Sequence, residues 1–173
     1  MQSQDRNKRV AVLAILIALG AVLWALEEFI PRPIPWLKPG LANIATVIAI
    51  VVLGPWDGLP VAIGRVILGA LILGRIGSAA FLMSISGAVV SAAVMGVLWR
   101  IKAPLSIYGI SVSGALAHGL SQLGVAVLLV YTPFVLRFFL PLVSLPAIAT
   151  GLLVGLLSVA LIKRFPGNFI YGN

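Results

Sequence analysis

The residues with chemistry to offer are few and widely spaced in an otherwise apolar chain. Glu27 and Glu28 close the first apolar stretch, Asn43 and Thr46 open the second, and Arg65 stands near the middle of the third. Ser111, His118 and Gln122 recur at helical spacing along the fifth, with Ser121 at the edge of that stripe. His118 and Gln122 are four positions apart, so on a helix one stands above the other. An Arg at a helix centre in lipid costs about 2.5–3.5 kcal/mol even on the lenient insertion scale, so such groups face a cavity or a partner. Arg65 therefore reads in two ways. It snorkels or bonds a helix carbonyl, or it contacts an anion or pairs with Glu27 or Glu28. His118 with Gln122 has the same pair of readings, a tie to a neighbouring helix or a ligand contact. Asn43 either hydrogen-bonds a ligand or joins two helices. Trp24, one turn below Glu28, and Trp36 are each an interfacial belt residue or a stacking surface. Together these groups offer hydrogen bonding and charge matching to a bound solute.

Catalysis is less well served. The four carboxylates are Asp5, Glu27, Glu28 and Asp57, and none forms the spaced aspartate clusters that hold magnesium against a diphosphate. There is no Walker A sequence to cradle ATP. One His and no Cys leave no transition-metal set. The nucleophile elbow is missing too, and no carboxylate lies near His118 in sequence to orient it. No catalytic residue, metal ligand or cofactor is expected, and binding or moving a solute is favoured.

The elements that must hold these residues are membrane helices. Of 173 residues, 61% are hydrophobic and 9% charged, with a mean hydropathy of +1.18. A soluble domain is about half apolar and about a quarter charged, so the composition predicts an all-α integral membrane protein. Its length suits one compact transmembrane domain over 1–173. The net charge of +8 is scattered between apolar spans and forms no patch with interleaved aromatics, which argues against nucleic acid. The basic start, Arg6 to Arg9, leads into a run of about twenty residues without a small-residue cleavage site, which predicts a retained span and not a signal peptide.

Breaks at charges, Pro and Gly give six spans, about 10–30, 40–54, 58–74, 78–99, 105–131 and 138–162. The second and third are short for a bilayer core that takes about 20 helical residues, so they are shallow or shielded by neighbours. The 31–39 loop, rich in Pro, holds a stiff extended path suited to a lid. With a cytoplasmic N-terminus, seven basic residues fall inside (Arg6, Lys8, Arg9, Arg100, Lys102, Lys163, Arg164) and four outside (Arg32, Lys38, Arg75, Arg137). That excess places both termini in the cytoplasm. On the first span Ala14, Ala18, Ala21 and Ala25 fall at alternating steps of four and three and share one face, with Ala11 below them. Such a stripe lets a second helix approach closely in lipid. It suits docking of a partner or packing against the chain's own helices. Ser84, Gly87, Ala88 and Ser91, and Ser144, Gly151, Gly155 and Ser158, read as surfaces for tight packing within the bundle.

Three blocks carry a resemblance: Gly40-Leu41-Ala42-Asn43-Ile44 after the Pro-rich loop, Arg65-Val66-Ile67-Leu68-Gly69, and Ala117-His118-Gly119-Leu120-Ser121-Gln122-Leu123. In order and spacing they resemble the bacterial membrane family labelled Gx transporter, or heptaprenyl diphosphate synthase component I, from about residue 10 to 162. The family pattern picks out Glu27, Asn43, Arg65, His118 and Gln122. The chain departs from it at Gly119 and Ser121, where Asn and Gly are usual. The family is similar to the substrate-binding (S) components of energy-coupling-factor transporters. That similarity implies a six-helix bundle in the bacterial cytoplasmic membrane, with Trp36 in a lid over a small vitamin-like or amphipathic solute (flavin-, quinone- or isoprenoid-related). It also implies docking through Ala14, Ala18, Ala21 and Ala25 on a transmembrane coupling subunit with separate ATPase subunits. Two other functions stay open: a membrane scaffold for a prenyl diphosphate synthase or redox system, and a proton-coupled transporter using His118 and Glu27.

Overall fold

The computed structural model describes residues 2–30, 40–130 and 133–164. They form six α-helices, with no strand among the described residues: α1 Gln2–Leu26, α2 Asn43–Val52, α3 Gly58–Ile72, α4 Ala79–Arg100, α5 Ile107–Val130 and α6 Pro133–Ile162. A single 3-10 turn, Glu27–Phe29, follows α1. Each helix lies on one of the six expected apolar segments, but several limits move. α1 begins well before residue 10, α2 and α3 are shorter than expected, and α6 starts at Pro133 and continues through Pro141 and Pro146. Proline is tolerated in helices in lipid where nearby hydroxyls and neighbouring helices keep the backbone satisfied. The 31–39 loop, with Trp36, lies outside the described residues.

Helices α1, α4, α5 and α6 each contain a stretch long and apolar enough to cross a membrane. Their outward faces are greasy throughout: Leu128 and Leu145 are each 70% exposed, and Ile15, Leu19, Val97 and Leu156 are also exposed. Soluble monomers rarely expose apolar patches larger than a few hundred Å². Faces of this kind on helix after helix belong in hydrocarbon, and they give the chain the marks of a multi-pass membrane protein.

The shortest helix, α2, is accommodated differently from the long ones. At about 1.5 Å per residue α2 is roughly 15 Å long, and all ten of its residues are buried. It sits inside the bundle against α1, α3, α4 and α6, while α1 packs on α3, α3 on α4, α4 on α5 and α5 on α6. A half-length span is stable here because its neighbours, not lipid, surround it. The turn from α2 into α3 is tight. Gly54 adopts φ +149°, which side chains with a Cβ rarely take, and Gly58 packs where a Cβ would lie 2.5 Å from Ile50 Cγ1. Arg9 Nη2 donates to both Asp57 carboxylate oxygens, at 2.7 and 2.9 Å, and so ties the start of α1 to this turn. Gly96, near the end of α4, meets the Pro55 carbonyl at the same end of the bundle. Ser78 caps α4 at the other end, its Oγ accepting from the Phe81 N–H at 3.1 Å.

Close packing of α5 on α6 depends on Gly151 and Gly155, one turn apart. A Cβ on Gly151 would lie 2.7 Å from Val112 Cα, and one on Gly155 3.0 Å from Tyr108 Cα. This is the small-xxx-small contact that brings helix backbones together in lipid. Gly151→Val is expected to destabilise the fold by about 1–3 kcal/mol through overpacking, read as a lower midpoint of thermal unfolding in detergent. Gly124 has open space around it, so Gly124→Ala is the matched control. It should leave the midpoint unchanged or raise it slightly.

Candidate functional site

One cavity of about 350 Å³ opens within the bundle, and all six helices contribute to its wall. That volume falls in the range of small-molecule sites, about 300–1,000 Å³. The cavity lies toward the end of α1 and the start of α2, α4 and α6, away from the Arg9–Asp57 pair. Its polar wall is Glu27, Asn43 and Arg65, from the 3-10 turn, α2 and α3. Leu123, Phe139 and Val143, from α5 and α6, make the apolar wall opposite in kind. His118 and Gln122 on α5 add polar groups beside it, and Trp24 adds an aromatic surface.

Arg65 is the deepest charge at this site, only 2% exposed. Its Nη2 donates to Asn43 Oδ1 at 2.5 Å, and the Glu27 carboxylate attracts it electrostatically. Glu27 is itself 1% exposed, with Oε1 3.4 Å from the Ala42 N–H. The backbone just before α2 therefore helps to hold this carboxylate. Room for the guanidinium stem comes from α1: a Cβ on Gly20 would be 3.0 Å from Arg65 Cδ. Two more glycines seat other site residues. Gly69 on α3 makes space for the Trp24 ring, since a Cβ there would lie 2.4 Å from Trp24 Cε3. Gly87 on α4 does the same for α5, because its Cβ would lie 2.9 Å from His118 Cε1 and 3.0 Å from Gln122 Cγ. Side chains absent from three helices are thus what let large polar and aromatic groups turn inward.

The fold brings Glu27, Asn43, Arg65, His118 and Gln122 around one hollow. Trp36 lies outside the described residues, as does the side chain of Glu28. Ser111 is buried but is not on the cavity wall; it is about 10 Å below His118 along α5, at 1.5 Å per residue, and its carbonyl faces Gly151 of α6. Thr46 is buried one turn below Asn43, also off the wall. Ser84, expected in helix packing, lines the cavity, as do Met83, Phe139, Val143 and Thr150. The apolar members give no sequence signal in a chain this hydrophobic. The alanine stripe is split. Ala14 and Ala18 are exposed and Ala25 is half-buried, but Ala21 is only 2% exposed. The expected four-alanine outer face is therefore corrected at Ala21. There α1 closes on α3, with Gly20 against Arg65 just before it and Trp24 against Gly69 just after it.

The Arg65–Asn43 bond suggests a direct test of what holds the polar wall. Asn43→Leu leaves a buried guanidinium without this acceptor, and unfolding in detergent should become easier by about 1.5–3 kcal/mol. The triple replacement Arg65→Met, Asn43→Leu and Glu27→Gln removes the cation together with its acceptor and its counter-charge, and should recover most of that loss. A triple variant as unstable as the single one would mean that the bond is incidental.

Neither a curated protein nor a solved structure matches the chain. A family model does match, over residues 16–161, and that span includes every cavity residue described above. The chain belongs to the heptaprenyl diphosphate synthase component I family.

Proposed function

We propose that this chain is the solute-binding membrane component of an uptake system of the energy-coupling-factor type. It captures a small vitamin-like or amphipathic solute at the outer face of a bacterial cytoplasmic membrane. Glu27, Asn43, Arg65, His118 and Gln122 bind it from the sides, with Trp36 and the 31–39 loop above. The observation that carries this reading is the hollow itself: polar residues expensive to keep in lipid converge on open space of ligand size. Both termini are cytoplasmic under the positive-inside rule, so the cavity end of the bundle faces outward.

The chain itself performs no catalysis under this reading, and energy comes from ATPase subunits through a transmembrane coupling subunit. Ala14 and Ala18, exposed on α1, are the docking positions, with Ala25 at the margin. A second reading is favoured by the family's description as one component of a synthase. In it the chain is a membrane partner that anchors a soluble prenyl diphosphate synthase.

Native mass spectrometry of the purified full-length protein separates the two. The uptake reading expects a small molecule bound one to one and lost in Arg65→Gln. A ligand-free protein that copurifies with a soluble synthase overturns it. Ala14→Leu with Ala18→Leu should abolish assembly with the coupling subunit while ligand binding persists. Loss of both would make the stripe structural.

A further inference from the structure

We infer that the solute has an uncharged polar head, with a carbonyl-type acceptor that meets Arg65, and an apolar body that lies against α5 and α6. The inference rests on the binding role proposed above and specifies the chemistry of the same cavity. Its first support is an unused donor. A guanidinium has five N–H donors. One Nη2 hydrogen goes to Asn43, and that is the one hydrogen bond Arg65 makes among the described residues. Its Nε also lacks an acceptor but is fully enclosed, so the donors left for a guest are those at the Nη end of the guanidinium, which lines the cavity. An oxygen of the guest within the cavity would accept from them.

The second support is charge. Among the described residues Arg65 is the sole Lys or Arg on the cavity wall, and Glu27 stands on the same wall as its electrostatic counterweight. Their formal charges cancel. A diphosphate would bring two or more negative charges next to a buried carboxylate with one cation among the described residues to offset them, in a medium that magnifies repulsion. A carboxylate guest would meet the same opposition in weaker form. A neutral carbonyl takes the Arg65 donor without it.

The third support is the apolar part of the lining. Leu123, Phe139 and Val143 present no hydrogen-bonding side chain, and Trp24 offers a flat aromatic face. A planar or prenyl-like body fits that lining by burial alone.

Three probes test the assignment on full-length protein in detergent, by isothermal titration. 1,4-Naphthoquinone has an uncharged dione head on an apolar ring, and the chain has no Cys for it to alkylate. 2-Naphthoate keeps a similar ring with a carboxylate, and geranyl diphosphate pairs an apolar tail with a diphosphate. The quinone is expected to bind, and the two anions to bind about tenfold more weakly or not at all. Arg65→Gln should weaken the quinone by about tenfold or more, the worth of a hydrogen bond to a charged donor. Should Arg65→Gln not fold, Val143→Trp fills the apolar side, leaves the Arg65–Asn43 bond in place, and should abolish quinone binding. Geranyl diphosphate or naphthoate binding more tightly than the quinone, in a manner Val143→Trp abolishes, overturns the uncharged head while the cavity keeps its binding role. Binding of no probe, or quinone binding indifferent to Val143→Trp, also overturns the inference. The native mass spectrum independently decides whether the cavity holds any solute.

Discussion

The architecture turns on one buried cation, Arg65. A guanidinium within an apolar bundle needs hydrogen bonds and opposite charge nearby. Arg65 receives one of each from elements distant in sequence: Asn43 accepts a hydrogen bond from its Nη2, and the Glu27 carboxylate attracts it. Glu27 occupies a 3-10 turn just past α1, and Asn43 is the first residue of α2. To serve one guanidinium, the end of α1 and the start of α2 must therefore converge on the middle of α3. That convergence sets one wall of the cavity, and the segment between them, 31–39, connects residues on that wall.

The hollow remains because small residues bring the rest of the bundle close without filling it. Gly20, Gly69 and Gly87 admit Arg65, Trp24 and the His118–Gln122 pair, while Gly151 and Gly155 bring α6 onto α5. Below the cavity the interior is more closely packed. α2 is buried on every side there, among Leu16, Val61, Met95, Ile110 and Val154. One bundle thus has a close-packed half tied by Arg9 and Asp57 and an open half with a polar wall. An apolar outer surface surrounds both. The division suits a membrane protein that receives a guest from one side.

The family assignment and the cavity draw attention to different aspects of the chain. The family's description speaks of a synthase component, yet among the described residues the polar wall pairs one cation with one carboxylate, an arrangement poorly suited to a diphosphate. A membrane component that binds a neutral amphipathic molecule is compatible with either an uptake complex or an association with isoprenoid enzymes. The chemistry of the guest is therefore the more informative question than the name of the partner.

The sequence by itself determined the helical, lipid-facing character of the chain, the number of apolar segments and the identity of the polar residues worth following. These are read from composition, run length and the energetic penalty of charge in hydrocarbon, all of them local quantities. Helix limits were less legible, because the start of α1 is polar and α6 runs through two prolines that would end a helix in water. Tertiary structure alone decided that Glu27, Asn43, Arg65, His118 and Gln122 share one space, that Ser111 falls below it, and that Ala21 turns inward while Ala14 and Ala18 stay out. It also recruited Phe139, Val143 and Leu123, which nothing in a hydrophobic sequence marks out. The physical reason is that a cavity is the volume packing leaves empty. Its position depends on how closely helices approach at particular glycines, and no single segment carries that information.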